Sequence, residues 1–377
     1  MSITLRYAGW EDRAQAMSLV DQLWRRGHRL SWDVPLFDWM FGARRHLWDH
    51  DGYSFAIASN QDEPVGIHAG VPFRLNVRGE SKLGLWRMLW IVVPDARAGN
   101  AGLLLHRAVD RPPYINVSFG INDLVARLYK AMGYALIPDI PRHVAVLPGG
   151  AAASDALLGI AYPTWEAARR TALVAALQVR VPDRQGGEVA FGLPEDWERQ
   201  GWAKLAPQVI GAARDQDYLT WRYVDHPGFT YRLLSVRQGA DLALAVWRAE
   251  TIRAPGQDGA LCQMGRVVEI LLPEPRLGPD LLAALYADMT AQGMALADYY
   301  GYHHATAQLL DGCGFRAAHD VVDGPLIPTR FQPLDGGTGT IKSGLHAPKG
   351  LEVPSFPVGP GGDWLWSKGD SDQDRPN

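Results

Sequence analysis

The first third of the chain changes between helical and extended spacing of its apolar positions. Residues 11–26 place Met17, Val20 and Trp24 on one helical stripe that stops at Gly27. The pattern that follows predicts extended runs over 53–59, 64–71 and 85–93, a helix over 103–110, a strand over 114–119 and a helix over 122–132. The predicted order is therefore helix, three strands, helix, strand, helix.

The second half of the chain repeats landmarks of the first half at offsets of 178–182 residues. The pairs are Trp39 and Trp221, Tyr53 and Tyr231, Pro94 and Pro273, Gly120 and Gly301, and Gly133–Tyr134 and Gly314–Phe315. A duplication of this kind predicts two domains of the same architecture. The alternative is an accidental coincidence of aromatic and glycine positions.

These landmarks divide the chain into four predicted parts. They are an N-terminal domain (1–148), a connector with an accessory helix over 164–174 (149–192), a second domain (193–334) and an extended tail rich in glycine and proline (335–377). The tail carries four large apolar residues, Leu351, Phe356, Trp364 and Trp366. We therefore expect it to lie across the surface of the domains before its acidic end at 369–375.

Composition excludes several classes of protein. With 47% hydrophobic and 21% charged residues, the 377-residue chain is expected to be globular and soluble. Its 37 basic and 41 acidic residues argue against nucleic acid as a partner. Cys262 and Cys313 lack the spacing of metal ligands or of a disulfide framework. No signal-like start and no apolar run of about 18 residues occurs, so we expect a cytoplasmic protein without a membrane span.

The stretch with the clearest chemical meaning is the turn at residues 97–102, between a strand and a helix. Such a turn points backbone N–H groups and the helix dipole at one spot, which suits a pyrophosphate. Arg97 adds a positive charge, and Asn100 tolerates a left-handed backbone. The alternative is an ordinary strand-to-helix turn, because short glycine-rich loops have low specificity.

The pattern Arg97-x-x-Asn100-x-Gly102 resembles the acyl-CoA pyrophosphate loop of the GCN5-related N-acetyltransferase (GNAT) superfamily, in which glycine is usual where Asn100 stands. Residues 120–134 are similar to the next motif of that family, with Asn122 at a strand end and Tyr129 seven residues later on the helix. Residues 209–227 resemble a segment of bacterial two-domain GNAT-like proteins.

The resemblance covers most of residues 1–335 and implies a fold class of α/β (α+β) type. Two tandem GNAT-like domains are expected, each with a mixed, mostly antiparallel central sheet flanked by helices, followed by the extended C-terminal segment. It also implies acetyl-CoA or another acyl-CoA as cosubstrate.

The resemblance assigns roles to individual residues. The pantetheine arm would bind backbone groups of Ile91, Val92 and Val93, and the pyrophosphate would bind the loop formed by Arg97, Ala98, Gly99, Asn100, Ala101 and Gly102. Asn122 would orient the pantetheine or the reacting amine. Tyr129 would be the general acid that protonates the departing thiolate, and the alternative is a packed helix aromatic.

The second repeat lacks the counterparts of the phosphate loop and of Tyr129. The segment at the loop position, 273–280, contains Pro275 and Pro279, which have no N–H donors, and Tyr129 corresponds to Leu310. We therefore expect the second domain to bind no CoA and to form the other wall of an acceptor cleft.

The general base and the acceptor site are harder to assign. His68 is a candidate base because an imidazole titrates near neutrality, and the alternative is a hydrogen-bonded strand histidine. Trp39, His303 and His304 are expected on the acceptor side, and the alternative for the two histidines is that residues 298–304 simply cap a strand. His46 and His50 are four residues apart without an evident third ligand, so no metal is expected.

The resemblance thus implies an acyl-CoA-dependent N-acyltransferase, with acetyl as the expected acyl group. It would act by direct transfer to a small-molecule primary amine, which the resemblance suggests to be an amino sugar in surface-polysaccharide synthesis. The 14 Trp and 13 Tyr residues suit stacking against a sugar, although they also suit a large core. The alternatives are a non-catalytic binding protein and an aminoacyl transferase of the peptidoglycan-bridge type.

Overall fold

Apolar strands in each half of the chain assemble into two large sheets. The computed structural model describes residues 2–352 and 364–374. The strands are β1 (Ile3–Tyr7), β2 (Phe55–Asn60), β3 (Glu63–Val77), β4 (Glu80–Val92), β5 (Tyr114–Phe119), β6 (Ala135–Ile140), β7 (Arg142–Val146), β8 (Glu188–Phe191), β9 (Ile210–Ala212), β10 (Arg232–Gln238), β11 (Asp241–Arg253), β12 (Ala260–Leu271), β13 (Leu296–Tyr302), β14 (Arg316–Ala317), β15 (Arg330–Phe331), β16 (Leu334–Asp335), β17 (Ile341–His346) and β18 (Trp366–Ser367).

Helices flank both sheets. They are α1 (Arg13–Leu19), α2 (Val34–Phe41), α3 (Pro94–Arg97), α4 (Ala101–Val109), α5 (Asp123–Ala131), α6 (Ala151–Ala161), α7 (Ala167–Ala176), α8 (Ala203–Leu205), α9 (Gln216–Leu219), α10 (Gly278–Ala291) and α11 (His304–Gly312). The sequence pattern finds α1 as part of 11–26, and it misses α2 and α6. Helix α6 is rich in alanine and has only a weak apolar stripe, so periodicity does not separate it from the connector.

Both sheets are mixed and mostly antiparallel, as predicted. The first has the order β1-β2-β3-β4-β5-β17-β6, with β9 also paired to β3. The second has the order β14-β7-β13-β12-β11-β10-β8, with β18 also paired to β13. In each sheet one neighbouring pair is parallel, β4 with β5 and β12 with β13.

The sheets exchange strands across the predicted domain limits. Strand β7, from the predicted N-terminal domain, belongs to the second sheet, and the chain passes between sheets at Pro141. Strand β17, from the predicted tail, lies between β5 and β6 of the first sheet. Each sheet is therefore completed by residues from the other part of the chain.

The expectation that the tail lies across the surface is wrong for residues 364–374. Trp364 and Trp366 are 1% and 2% exposed, and β18 pairs with β13. The acidic end is buried as well, because Asp370 forms an ion pair with Arg214 at 2.9 Å and Asp374 forms one with Arg248 at 2.6 Å. Buried guanidinium groups require counter-charges, which the tail supplies. Phe356 and Arg375 lie outside the described residues.

The repeat places two equivalent tryptophans against each other. Trp39 and Trp221 stack with ring centroids 4.8 Å apart and an interplanar angle of 17°. Trp39 Nε1 donates to the Trp221 carbonyl at 3.0 Å, and Trp221 Nε1 donates to the Trp39 carbonyl at 3.5 Å. This reciprocity is what an approximate two-fold relation between the halves requires.

We predict that Trp366→Ala destabilises the protein by about 3–5 kcal/mol, because it leaves a cavity where the tail packs on Phe119. Urea unfolding at equilibrium would measure the change. Trp32→Ala is the matched control, since Trp32 is 61% exposed and its loss should change stability by no more than about 0.5 kcal/mol. Equal stability of the two variants would contradict a structural role for the tail.

Candidate active site

The two parallel strands of the first sheet separate part-way along their length. Strands β4 and β5 are paired from Leu83 and Tyr114 to Arg87 and Ser118. Beyond Arg87, β4 continues in the first sheet as a partner of β3 only, after a shift in the β3–β4 register. Leu89 lies at this bulge with a φ of +49°, a backbone conformation that non-glycine residues rarely adopt. The far part of β4 therefore has no strand partner on the β5 side, and its Val92 carbonyl accepts a hydrogen bond from Nε of Arg97 at 3.2 Å.

The predicted phosphate loop connects β4 to α4 at the open end of this gap. Residues Pro94–Arg97 form one helical turn, and Asn100 then has a φ of +61° directly before α4. Asparagine adopts this left-handed conformation more readily than most residues, so the absence of the usual glycine does not prevent the turn. The first N–H groups of α4 lack partners within the helix, as at any helix start.

A groove lies beside this loop, between α4 and α5. Its cavity of about 220 Å³ is lined by Trp90, Arg97, Asn100, Gly102, Leu103, Leu128 and Met132. Leu103 and Leu128 are 42% and 43% exposed, so the groove combines an apolar wall with an exposed arginine. An apolar arm that ends in a phosphate would suit this combination.

The corresponding gap in the second sheet is closed. Strands β12 and β13 are paired only from Met264 and Leu296 to Val267 and Tyr299. Beyond that point, Gly301 and Tyr302 of β13 pair with Ser367 and Trp366 of the tail. Residues 366–367 thus provide β13 with a strand partner where its pairing with β12 has ended.

The comparisons with known proteins concern the fold. No protein-family model and no curated protein matches the chain. Among solved structures, it is similar to the N-myristoyltransferase of Saccharomyces cerevisiae determined with myristoyl-CoA and inhibitors, with a TM-score of 0.53, 10% identity, and coverage of 91% of this chain and 80% of that chain. A second structure of that enzyme with bound myristoyl-CoA has a TM-score of 0.51 at 10% identity, covering 91% of this chain and 82% of that one.

A GCN5-related N-acetyltransferase from Anabaena variabilis ATCC 29413 is also similar, with a TM-score of 0.51, 10% identity and coverage of 79% of this chain. The match spans 65% of the length of the Anabaena protein. The chain has a tandem GNAT-like fold. At such low identity the similarity establishes the fold alone, and the chemistry has to be read from the residues present.

A buried polar cluster lies under the groove in the GNAT-like first domain. At its centre Arg87 donates to the Tyr134 hydroxyl and to Nδ1 of His106. Nε2 of His106 lies 3.2 Å from Asp110, and Nδ1 of His346 lies 2.8 Å from the same carboxyl. Because a guanidinium can only donate, Nδ1 of His106 must accept from Arg87. The ring proton of the neutral imidazole is therefore on Nε2, where it is donated to Asp110. His346 comes from β17, so the tail contributes directly to this cluster.

The cluster contains two of the three predicted catalytic residues. Tyr129 is buried, and its hydroxyl lies 3.4 Å from that of Ser118, the last β5 residue paired with β4. His68 is buried too, 3.3 Å from Nε of Arg87. Burial, with Arg87 and His106 close by, lowers the pKa of His68 well below its usual value. His68 is therefore neutral at physiological pH, but it lies enclosed beside a cation.

The other predicted site residues lie elsewhere. The side chain of Asn122 caps α5 by accepting a hydrogen bond from the Val125 N–H at 2.9 Å. Trp39 is buried against Trp221 at the junction of the two halves. His303 and His304 lie at the start of α11 in the second domain, where His303 Nδ1 is 2.9 Å from the Thr306 hydroxyl and His304 is exposed.

Sequence reasoning missed Arg87, His106, Asp110 and His346. His106 lies on α4 and Asp110 directly follows that helix, four residues later, which is a detectable spacing for one helix face. Arg87 and His346 left no such signal, because their partners lie far away in sequence.

Within residues 2–352 and 364–374, no group of three His, Cys, Asp or Glu side chains is arranged to hold a metal ion. Over the same residues, no helix combines the length and the apolar character needed to cross a bilayer.

We predict that Asp110→Asn destabilises the protein by about 1–3 kcal/mol at neutral pH, because two imidazole N–H groups lose a charged acceptor. Hydrogen bonds from His106 and His346 lower the pKa of Asp110 against the effect of burial. Its contribution is therefore complete above the unfolded-state pKa of about 3.9 and is lost as the pH falls below it.

Urea unfolding of both proteins between about pH 5 and pH 3 should show the difference in stability shrinking toward acid. Asp258→Asn is the control, because Asp258 is exposed and should contribute little at any pH. A difference that stays constant with pH would contradict an ionised Asp110.

Proposed function

We propose that the protein is an acyl-CoA-dependent N-acyltransferase that uses the groove of the first domain. The observation that carries this proposal is the open gap between β4 and β5, which ends in a phosphate-type loop. In this proposal the pantetheine arm lies along Ile91, Val92 and Val93, and the pyrophosphate meets the loop from Arg97 to Gly102. Acetyl is the proposed acyl group.

Two features of the loop support phosphate binding. Arg97 is exposed, and its one hydrogen bond within the described residues runs from Nε to the Val92 carbonyl at 3.2 Å. Its terminal nitrogens therefore remain available for an anion. Gly102, at the start of α4, lines the same cavity as Arg97, so the first N–H groups of this helix lie beside the groove.

The proposed reaction is direct transfer in a ternary complex. The free amine attacks the thioester carbon, the carbon–sulfur bond breaks, and the thiolate takes a proton from Tyr129. The Tyr129 hydroxyl lies 3.4 Å from that of Ser118, the residue at which β4 and β5 separate. The attacking nitrogen releases one proton, for which His68 is the proposed but enclosed acceptor.

In this proposal the second domain binds no CoA, since its gap is filled by β18. It forms the opposite wall of the acceptor site, and an amino sugar of surface-polysaccharide synthesis remains the proposed acceptor. A non-catalytic binding protein is the second candidate, which the enclosed position of His68 favours.

We expect Arg97→Glu to weaken acetyl-CoA binding by about 10- to 100-fold, because a charge-assisted contact to phosphate becomes a repulsion. Isothermal titration calorimetry with acetyl-CoA and longer acyl-CoAs measures this directly. Arg107→Glu is the matched control, with the same charge change on the exposed surface of α4. The proposal fails if the wild-type protein binds no acyl-CoA, or if both variants bind equally well.

Tyr129→Phe should lower turnover by about 10- to 1,000-fold, the range of a lost general acid, while acetyl-CoA affinity is kept. Steady-state release of free thiol measures turnover. Tyr134→Phe removes a hydroxyl from the same stacked pair, whose ring centroids are 4.3 Å apart, and should have a much smaller effect on turnover. Unchanged turnover in Tyr129→Phe would rule out the assigned role.

A further inference from the structure

A second cavity, of about 270 Å³, lies between the two halves of the chain and is strongly charged. It is lined by Arg25, Arg248, Glu250, Arg266, Thr329, Arg330, Phe331, Lys368, Asp372, Gln373 and Asp374. Five of these residues are basic and three are acidic. A basic cavity is unusual in a chain whose net charge is −4, and it indicates an anionic ligand.

Two of the three carboxylates that line the cavity, and Asp298 behind them, are paired with arginines, whereas the third, Asp372, accepts a hydrogen bond from the Gln373 amide at 3.1 Å. Arg248 pairs with Asp374 at 2.6 Å and with Glu250 at 3.2 Å. Arg266 pairs with the same Glu250 at 2.9 Å and with Asp298 at 3.1 Å. Arg142 pairs with Asp298 at 3.0 Å, so three buried arginines balance three buried carboxylates.

Three further cations have no such counter-ion. Lys368, Arg25 and Arg330 line the cavity, and none of them lies within 4 Å of a carboxylate oxygen among the described residues. The Lys368 ammonium instead lies 4.6 Å from the centroid of the Tyr300 ring. Lys368 is partly buried, so its charge gains from a bound anion because water no longer stabilises it fully, whereas Arg25 and Arg330 are exposed and add positive charge at the cavity wall.

The position of the cavity connects it to the proposed transfer site. Gln373, from its wall, contacts Gly120 at the end of β5, where an added Cβ would lie 2.6 Å from the Gln373 amide nitrogen. Ser118, where β4 and β5 separate, is two residues earlier, or about 7 Å along an extended strand. The cavity therefore lies toward the end of the gap at which β4 and β5 separate, and not at the phosphate loop.

We propose that this cavity binds an anionic group, a phosphate or a carboxylate, carried by the amine acceptor. The assignment to the acceptor rests on the proposed acyltransferase function. The volume lies just below the range of about 300–1,000 Å³ that ligand pockets usually occupy, which favours a small acceptor such as a phosphorylated or carboxylated amino sugar.

Anion binding can be tested without acyl-CoA. Phosphate and acetate would each be titrated calorimetrically, at constant ionic strength, into the Arg97→Glu protein, in which the phosphate loop no longer attracts anions. Adding Arg25→Glu and Arg330→Glu should weaken binding at least tenfold. Both side chains are exposed, so these substitutions should not impair folding. Arg26→Glu with Arg107→Glu makes the same charge change on exposed residues outside the cavity and should leave binding unchanged.

Equal loss in both double variants, or no binding of either anion, would overturn the proposal. Preference for phosphate over acetate would identify a phosphorylated acceptor, and the reverse preference a carboxylated one. Because these titrations contain no acyl-CoA, they remain interpretable even when acetyl-CoA titration of the wild-type protein shows that the acyltransferase function is wrong.

Transfer rates test whether the anionic group belongs to the acceptor. Glucosamine, which carries no anionic group, would be compared with glucosamine 6-phosphate and, separately, with muramic acid. We expect kcat/KM to be at least tenfold higher for an anionic amine. This preference should disappear in the Arg25→Glu/Arg330→Glu protein, whose affinity for acetyl-CoA should not change. Anion binding without any such preference would overturn the assignment to the acceptor.

The pH dependence of sulfate binding provides a readout of Lys368, because sulfate keeps its charge near neutral pH. Burial, together with Arg266, lowers the pKa of Lys368 to about 7, while Asp298, Asp374 and Glu250 oppose the shift. The amine is charged below this pKa, so sulfate should bind several-fold more tightly at about pH 6 than at about pH 8. Lys368→Arg, which stays charged, should bind equally at both; a pH dependence that Lys368→Arg retains would contradict the role of Lys368.

Discussion

Parallel strands that separate leave backbone N–H and C=O groups without partners, and such groups have to be satisfied when they are buried. This constraint acts twice in the chain, at β4 and β5 and again at β12 and β13. In the first sheet the gap borders a groove with a loop of small residues and one exposed arginine. In the second sheet the chain fills the gap with β18. The two repeats therefore share an architecture and differ in what closes their central gap.

The same tail that closes one gap also builds around the other. Strand β17 pairs with β5 and β6, and its Gly344 leaves room for Tyr129, whose ring carbon would lie 3.4 Å from an added Cβ. His346, from the same strand, stacks on Tyr134 with centroids 4.7 Å apart. The candidate site is thus made by residues from both ends of the chain, although the motifs visible in the sequence lie in one half.

This division explains how much could be predicted from the sequence. The strand-to-helix turn at 97–102, the position of Tyr129 and the repeat depend on local spacing, and each left a pattern of residue types. Strand β17 has the sequence Ile-Lys-Ser-Gly-Leu-His, which contains a central glycine and lacks a clear alternation, so only its neighbours make it a strand. Arg87 is polar and buried in an apolar run, and its partners His106 and Tyr134 come from two other elements. No residue pattern near Arg87 in the sequence predicts that His106 and Tyr134 are its partners.

The position of β17 late in the chain also affects how the protein folds during synthesis. When residues 1–146 have emerged from the ribosome, the segments of β5 and β6 are present, but β17, which lies between them in the sheet, has not yet been synthesised. Until then β5 is an unpaired edge of the first sheet and β6 has no strand partner, and exposed edges of this kind are sites for wrong pairing and aggregation. Bringing β17 next to β5 closes a long loop, and the conformational entropy of that loop is lost before the strands form stabilising contacts. Assembly of the first sheet is therefore expected to be one of the slow, non-local steps of folding. The N-terminal half thus depends for a complete sheet on residues 341–346, which are synthesised after the second domain.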